Sequence, residues 1–296
     1  MSIREFAPAK INLYLHVTGR QADGYHQLDS LVAFSGVGDE VVLEPAGAFS
    51  FHVEGPQAGL LQKEADADNL VVKAANSLAE LTGKNLDVKL TLIKNLPVAS
   101  GIGGGSSDAA AALRALAIHW GIAPDEPRLY QAASRHGQDI AACIEADNVY
   151  LTPEGIESAL PLPYTNIVLV NPNKGLSTAE VYKAYRTSGD AFSPEARFER
   201  EPKDAVELAE FLRLRHNDLT APACRLMPEI KGMIDAIAAS HHCLFAAMSG
   251  SGATCFGLYA DRDGARRAAS DILTAHPDWW VIQSHIPHMR DRRRRF

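Results

Sequence analysis

Between Ala7 and Val17 apolar and polar positions alternate: Ala9, Ile11, Leu13, Leu15 and Val17 fall on one face, Lys10, Asn12, Tyr14 and His16 on the other. A period of two predicts a half-buried strand. Ala22-Asp23-Gly24 reads as a turn and Val41 to Glu44 as a short strand. Asn69 to Leu81 has helical spacing, with Asp66 or Asp68 as N-cap. Leu86 to Ile93 alternates as a strand that Asn95-Leu96-Pro97 ends. Ala109 to Trp120 opens on four consecutive alanines and predicts a strong helix. Further helices are expected over 128–136 and 138–146.

The second half begins near Leu162. Asn166 to Asn171 predicts an apolar strand, and Ser177-Thr178-Ala179-Glu180 is a capping box that starts a helix. Helices are expected over 203–215 and 226–240. Leu244 to Met248 and Ala253 to Tyr259 read as strands around Ser249-Gly250-Ser251-Gly252, followed by a helix over 263–275 and a strand over 280–286. Strand, helices, two strands, helix, strand is the order of a ferredoxin-like α/β sandwich. The fold class is therefore α+β with two domains, 1–160 and 161–296, divided among Pro153, Pro161 and Pro163.

At 296 residues the chain is long for one core and natural for two. Its net charge of -7 argues against nucleic acid or an anionic membrane as partner. The basic tail, Arg290 and Arg292 to Arg295, reads as a solvated end. No apolar run approaches the roughly 20 residues of a membrane span. Cys143, Cys224, Cys243 and Cys255 have no C-x-x-C spacing, so neither a zinc site nor a redox motif is expected. A reducing cytoplasm is the expected location.

The candidate chemistry lies between the strand ending at Ile93 and the helix beginning near Ala109. Residues 101–107 read Gly101-Ile102-Gly103-Gly104-Gly105-Ser106-Ser107. Glycine lets backbone approach a phosphate closely, and a helix N-terminus leaves about four N–H groups unpaired and carries partial positive charge. Strand, glycine loop and helix together make an anion site. The alternative is a ligand-free turn, with Ser106 and Ser107 capping the helix. The run is neither a G-x-x-x-x-G-K-[ST] loop nor a complete dinucleotide fingerprint, and no serine sits in G-x-S-x-G. Asp108 suits the helix dipole but would repel a phosphate, so it is expected to turn away from the phosphates or toward magnesium.

Leu96-Pro97-Val98-Ala99-Ser100-Gly101-Ile102-Gly103-Gly104-Gly105-Ser106-Ser107-Asp108-Ala109-Ala110 resembles the central phosphate-binding motif of the galactokinase–homoserine kinase–mevalonate kinase (GHMP) superfamily. Pro8 to Leu13 resembles its first motif and Ser249 to Ala253 its third. With Gly19-Arg20-Gln21-Ala22-Asp23-Gly24-Tyr25-His26, the match is similar to the branch that phosphorylates a tertiary 2-hydroxyl on an alcohol bearing a cytidine diphosphate group, in the non-mevalonate isoprenoid route. The resemblance implies a ribosomal-S5-domain-2-like N-terminal domain, a ferredoxin-like C-terminal domain, ATP and Mg2+. It implies that residues 97–107 bind ATP, with Asn69 and Lys94 bordering the adenine. Asp139, in Gly137-Gln138-Asp139-Ile140-Ala141, matches the family's catalytic aspartate, and Lys10 would pair with it and stabilise charge on the transferring phosphoryl group. Gln138 and Ala141 depart from the family's Gly-Ala-Asp-Val-Pro. Asn12 and Thr178 would contact substrate, Tyr25 and Tyr182 would stack on cytosine, and His26 would hydrogen-bond it. The resemblance assigns no metal ligands. A monomer and a homodimer both remain open. The rival readings are another small-molecule kinase of the superfamily and a non-catalytic nucleotide sensor; retention of both Lys10 and Asp139 argues against the sensor.

Overall fold

The computed structural model describes residues 1–21, 24–61 and 66–288. The basic tail and Ala22-Asp23 of the expected turn lie outside the described residues. The strands are β1 (Ile3–Asn12), β2 (His16–Arg20), β3 (His26–Pro45), β4 (Ser50–Glu54), β5 (Val88–Ile93), β6 (Val149–Thr152), β7 (Gly155–Ser158), β8 (Thr165–Asn171), β9 (Cys243–Met248), β10 (Cys255–Tyr259) and β11 (Trp280–Ile286). The α-helices are α1 (Leu70–Thr82), α2 (Gly104–Trp120), α3 (Pro127–Ser134), α4 (Gln138–Glu145), α5 (Thr178–Ser188), α6 (Ala205–Arg213), α7 (Thr220–Leu226), α8 (Glu229–Ala239) and α9 (Arg262–Ala275). The chain forms two compact units: residues 1–10, 37–98 and 103–146, and residues 11–36, 99–102 and 147–296.

In the first unit, Glu40–Pro45 of β3 pairs antiparallel with β5, and β4 pairs parallel with β5. Helices α1, α3 and α4 pack around α2. Residues 107–117 of α2 are buried on every side, the polar Ser107, Asp108 and Arg114 included. Ala109 to Ala112 are each fully buried, and their small side chains let α1 and α4 approach. In the second unit, β2 and β6 pair antiparallel with β3, and β6 pairs with β7. Strands β8 to β11 form a four-stranded antiparallel sheet in the order β11-β8-β10-β9. Counted from β8, that is 4-1-3-2 with two βαβ-type returns, the ferredoxin-like topology expected from the element order. Helices α8 and α9 cover it, burying Val168, Val170, Cys255, Met233, Ile237, Ala268 and Ile272 in one core.

Several expectations are corrected. The single strand over Ala7–Val17 is two strands, and its polar face is dry: Lys10, Asn12, Tyr14 and His16 are all buried. Val41–Glu44 is the end of a 20-residue strand. Strands β4, β6 and β7 went unrecognised. The N-cap of α1 is Asn69, whose side-chain oxygen accepts from the Val71 N–H. The helix expected over 226–240 is α8, Glu229–Ala239, which begins after Pro228, and the short α7 ahead of it, Thr220–Leu226, went unrecognised.

Candidate active site

Helix α2 starts five residues earlier than alanine propensity suggests. Its N-cap is Gly103 at φ +62°, with no side-chain cap. The first intrahelical bond at this end runs from the Ser107 N–H to the Gly103 carbonyl, at 2.8 Å. The N–H groups of Gly104, Gly105 and Ser106 therefore have no partner within the helix. Ser107 does not cap: it is buried, and its hydroxyl donates to the Pro8 carbonyl at 2.8 Å. Ser106 is half-buried. A Cβ at position 103 would meet Cβ and Cε of Lys10 at 2.9 Å, so the chain approaches Lys10 as only glycine permits.

Lys10 ends its side chain 3.1 Å from Oδ2 of Asp139; the lysine side chain is 6% exposed and the aspartate 47%. Asp139 lies in the first turn of α4, which follows Gly137 at φ +135°, so the helix dipole favours a carboxylate there. Gln138 and Ala141 stand in this regular helix without disrupting it. Arg114 fixes the two elements that carry the pair. Its guanidinium donates to the Phe6 carbonyl on β1 at 2.6 Å and to the Cys143 and Ile144 carbonyls on α4 at 2.9 and 3.2 Å. It also pairs with Glu5 at 2.8 Å.

Lys94 is not placed as expected. It is 2% exposed, and its ammonium donates to Asp39 at 2.5 Å and Asp108 at 2.8 Å. An ammonium enclosed by two carboxyl groups is not offered to an adenine. Asp108 lies beyond the first turn of α2 and faces inward, buried, not toward a phosphate or solvent. Asn69 is half-buried and engaged in capping α1. Pro97 and Val98 belong to the same unit as these residues.

In the second unit, residues 99–102 are pinned through their backbone. The Ala99 carbonyl accepts from the Leu176 N–H at 3.2 Å and the Ser100 carbonyl from the Thr254 N–H at 2.9 Å. Ser100 and Ile102 are buried. Gly101, at φ +74°, passes so close to Gly252 that a Cβ would lie 2.4 Å from its carbonyl oxygen. Ser249, fully buried, bridges two motifs: its hydroxyl accepts from the Asn12 N–H at 3.1 Å and donates to the Gly101 carbonyl at 3.0 Å. The Asn12 amide donates to Ser30 at 2.8 Å. Asn217, which carries no sequence signal, donates to the Met248 and Gly250 carbonyls at 2.9 and 2.8 Å and holds the Ser249–Gly252 turn.

The aromatic cluster also lies in this unit. His26 stacks on Tyr182 with ring centroids 5.0 Å apart and meets the edge of Tyr185 at 5.8 Å. Tyr25 beside it is 75% exposed. Burial first, then Arg186 and Arg20, push the His26 pKa below its ordinary value. Thr178 opens α5, whose cap Ser177 accepts from the Glu180 N–H as the capping box predicts, and its hydroxyl is 2.8 Å from that of Ser251. Tyr182 is one turn further along the same helix.

The GHMP kinases N terminal domain matches residues 69–147, and the GHMP kinases C terminal domain matches residues 196–278. The 4-diphosphocytidyl-2-C-methyl-D-erythritol kinase of Paramagnetospirillum magneticum is 46% identical over 95% of this chain and 97% of its own. That of Cereibacter sphaeroides is 48% identical over 95% and 98%. The chain belongs to the 4-diphosphocytidyl-2-C-methyl-D-erythritol kinase family of GHMP kinases. A crystal structure of 4-(cytidine 5'-diphospho)-2C-methyl-D-erythritol kinase superposes with a TM-score of 0.76 at 32% identity, covering 96% of this chain and all of that one. Mevalonate kinase of L. major in complex with R-mevalonate shares the fold, with a TM-score of 0.70 at 15% identity over 97% and 96% of the two chains.

Membership in this kinase family makes ATP the phosphoryl donor. No group of three His, Cys, Asp or Glu residues that could hold a metal occurs among the described residues. No helix among the described residues is long and apolar enough to cross a membrane. Sequence reasoning missed Asp39, Ser249 as a bridge, and Asn217; only Ser249 had a signal, its place in the third motif.

Proposed function

We propose that this chain transfers the γ-phosphoryl group of MgATP to the 2-hydroxyl of 4-diphosphocytidyl-2-C-methyl-D-erythritol, a step of non-mevalonate isoprenoid precursor synthesis. The observation that carries it is the pair formed by buried Lys10 and half-exposed Asp139, next to an uncapped glycine-led helix start. Phosphoryl transfer asks a protein mainly for positioning and charge stabilisation. In this reading the free N–H groups of Gly104, Gly105 and Ser106 hold phosphate oxygens. Asp139 accepts or orients the hydroxyl proton, and Lys10 fixes the carboxylate and offsets charge on the transferring group.

Residues 1–160 supply the nucleotide loop in this proposal, with Pro97 to Ile102 shaping it through the backbone and Asn69 bordering the adenine. Residues 161–296 supply Thr178 and Tyr182 on the substrate side. Tyr25 and Tyr182 take the cytosine ring, His26 its polar edge, and Asn12 the alcohol. Mg2+ enters on ATP, the enzyme works in the cytoplasm as a monomer or homodimer, and nucleic acid is no partner. The test is ADP release and product phosphorylation with MgATP and the cytidine compound, with mevalonate and homoserine in parallel. Turnover with the cytidine compound alone is expected. Turnover with another alcohol instead returns the substrate to the wider superfamily, and ATP binding without any turnover favours a sensor.

A further inference from the structure

The most enclosed charges in the first unit lie behind the start of α2. Asp39, Lys94 and Asp108 are 0%, 2% and 2% exposed. A Cβ built on Gly104, the first residue of α2, would stand 3.0 Å from Lys94 Nζ and 3.8 Å from Asp39 Oδ2. The cluster therefore backs directly onto the turn whose N–H groups are read above as the phosphate site. With both carboxyl groups ionised it would carry one net negative charge. A buried, uncompensated charge is costly, and this one would oppose phosphates bound on the other side of the turn.

We propose that Asp39, Lys94 and Asp108 are positioning residues for the phosphates of ATP, their two carboxyl groups holding one proton between them so that the cluster supports the first turn of α2 without net charge. The hydrogen bonds say where the proton has room. Asp39 Oδ1 accepts from the Asn95 and Leu96 N–H groups at 2.5 and 2.8 Å, and its Oδ2 accepts from Lys94. Asp108 uses Oδ2 for Lys94, and its Oδ1 has no hydrogen-bond partner among the described residues. That open oxygen gives the proton a place on Asp108, beside a second carboxyl group that shares its cation. Burial, reinforced by Asp39 and opposed by Lys94, pushes the Asp108 carboxyl up to about 8. Other charges near α2 are engaged elsewhere: Asp139 on α4 pairs with Lys10, Arg114 on α2 itself pairs with Glu5, and Lys73 on α1 pairs with Asp68. Lys94 thus ties the end of β5 to α2, and Asp39 ties β3 to the Asn95-Leu96 backbone that leads into the loop.

The proposal rests on the phosphate reading of α2, and the test separates the two. MgATP affinity is titrated calorimetrically from pH 7 to 9.5 on the unaltered chain and on Asp108→Asn. The unaltered chain is expected to lose affinity at least about tenfold as Asp108 ionises, the scale of one charge acting over about 12 Å at an effective dielectric near 20. Asp108→Asn, whose amide cannot ionise, is expected to show no alkaline loss. A purely structural role would produce no such difference in pH profile. Binding by the unaltered chain with affinity flat across this range, or the same alkaline loss in Asp108→Asn, overturns the proposal while leaving the phosphate site standing. No ATP binding at any pH overturns both. If Asp108→Asn fails to fold, the profile of the unaltered chain alone decides, since flat affinity is already fatal.

Discussion

The Lys10–Asp139 pair makes a quantitative prediction through a double-mutant cycle of Lys10→Met, Asp139→Asn and the double variant. Asp139 Oδ2 lies 3.1 Å from a lysine side chain that is 6% exposed, so neither group acts without the other's charge. Loss of a positioned proton acceptor costs about 10²–10⁴ in rate, or about 2.7–5.5 kcal/mol on the barrier. If the two form one unit, the double variant falls little below the worse single, with a coupling of about 0.5–3 kcal/mol. Stability separates the singles. Asp139→Asn leaves the buried ammonium with a neutral acceptor, and a charge-assisted hydrogen bond is roughly twice as strong as a neutral one. Lys10→Met leaves a half-exposed carboxylate that water and the α4 N-terminus still satisfy. The melting temperature should therefore fall further in Asp139→Asn. The assay is ADP release at saturating MgATP and cytidine substrate, with ATP affinity titrated separately. Asp139→Asn turning over within about threefold of the unaltered chain, less than 1 kcal/mol of barrier, would remove it from the chemistry. Additive losses within about 0.5 kcal/mol would mean that the two residues work independently.

Ser249→Ala should destabilise the chain by about 1–3 kcal/mol, because a buried Asn12 N–H and Gly101 carbonyl lose their shared partner; an unchanged melting temperature would show the bridge to be idle. Tyr182→Ala should raise KM for the cytidine substrate by about 1–3 kcal/mol, the worth of stacking one base, with KM for ATP unaffected; an equal loss for both nucleotides would dissolve the cytosine assignment. Because burial, Arg186 and Arg20 all lower the His26 pKa, the imidazole stays neutral below its ordinary 6.5. KM for the alcohol substrate should accordingly stay flat as pH falls through 6.5 and rise only lower; a rise centred at or above 6.5 would place His26 outside the base pocket.

What the sequence made legible was local. The four strands of the C-terminal sheet, the Ser177 cap and the α4 helix around Asp139 all rest on period, turn chemistry and spacing within a few residues. The errors share a different cause. Alternation along Ala7–Val17 reads the same whether the polar face meets water or packed backbone, so the burial of Lys10 and Asn12 could not be foreseen from it. The serines after the glycine loop look like caps, yet Gly103 at φ +62° takes that place and Ser107 turns to a carbonyl 99 residues away. Lys94, which the resemblance sets beside the adenine, is enclosed instead by a partner that no local pattern reveals, since Asp39 is 55 residues distant. Asp108 was the informative misfit. An acid close behind a helix start proposed to bind phosphate contradicts the local electrostatic rule, and a residue that breaks a local rule in a well-patterned segment points to a partner elsewhere in the chain. Lys94 is that partner, shared with Asp39, and the proposed neutral cluster would turn an apparent repulsion into support for the loop.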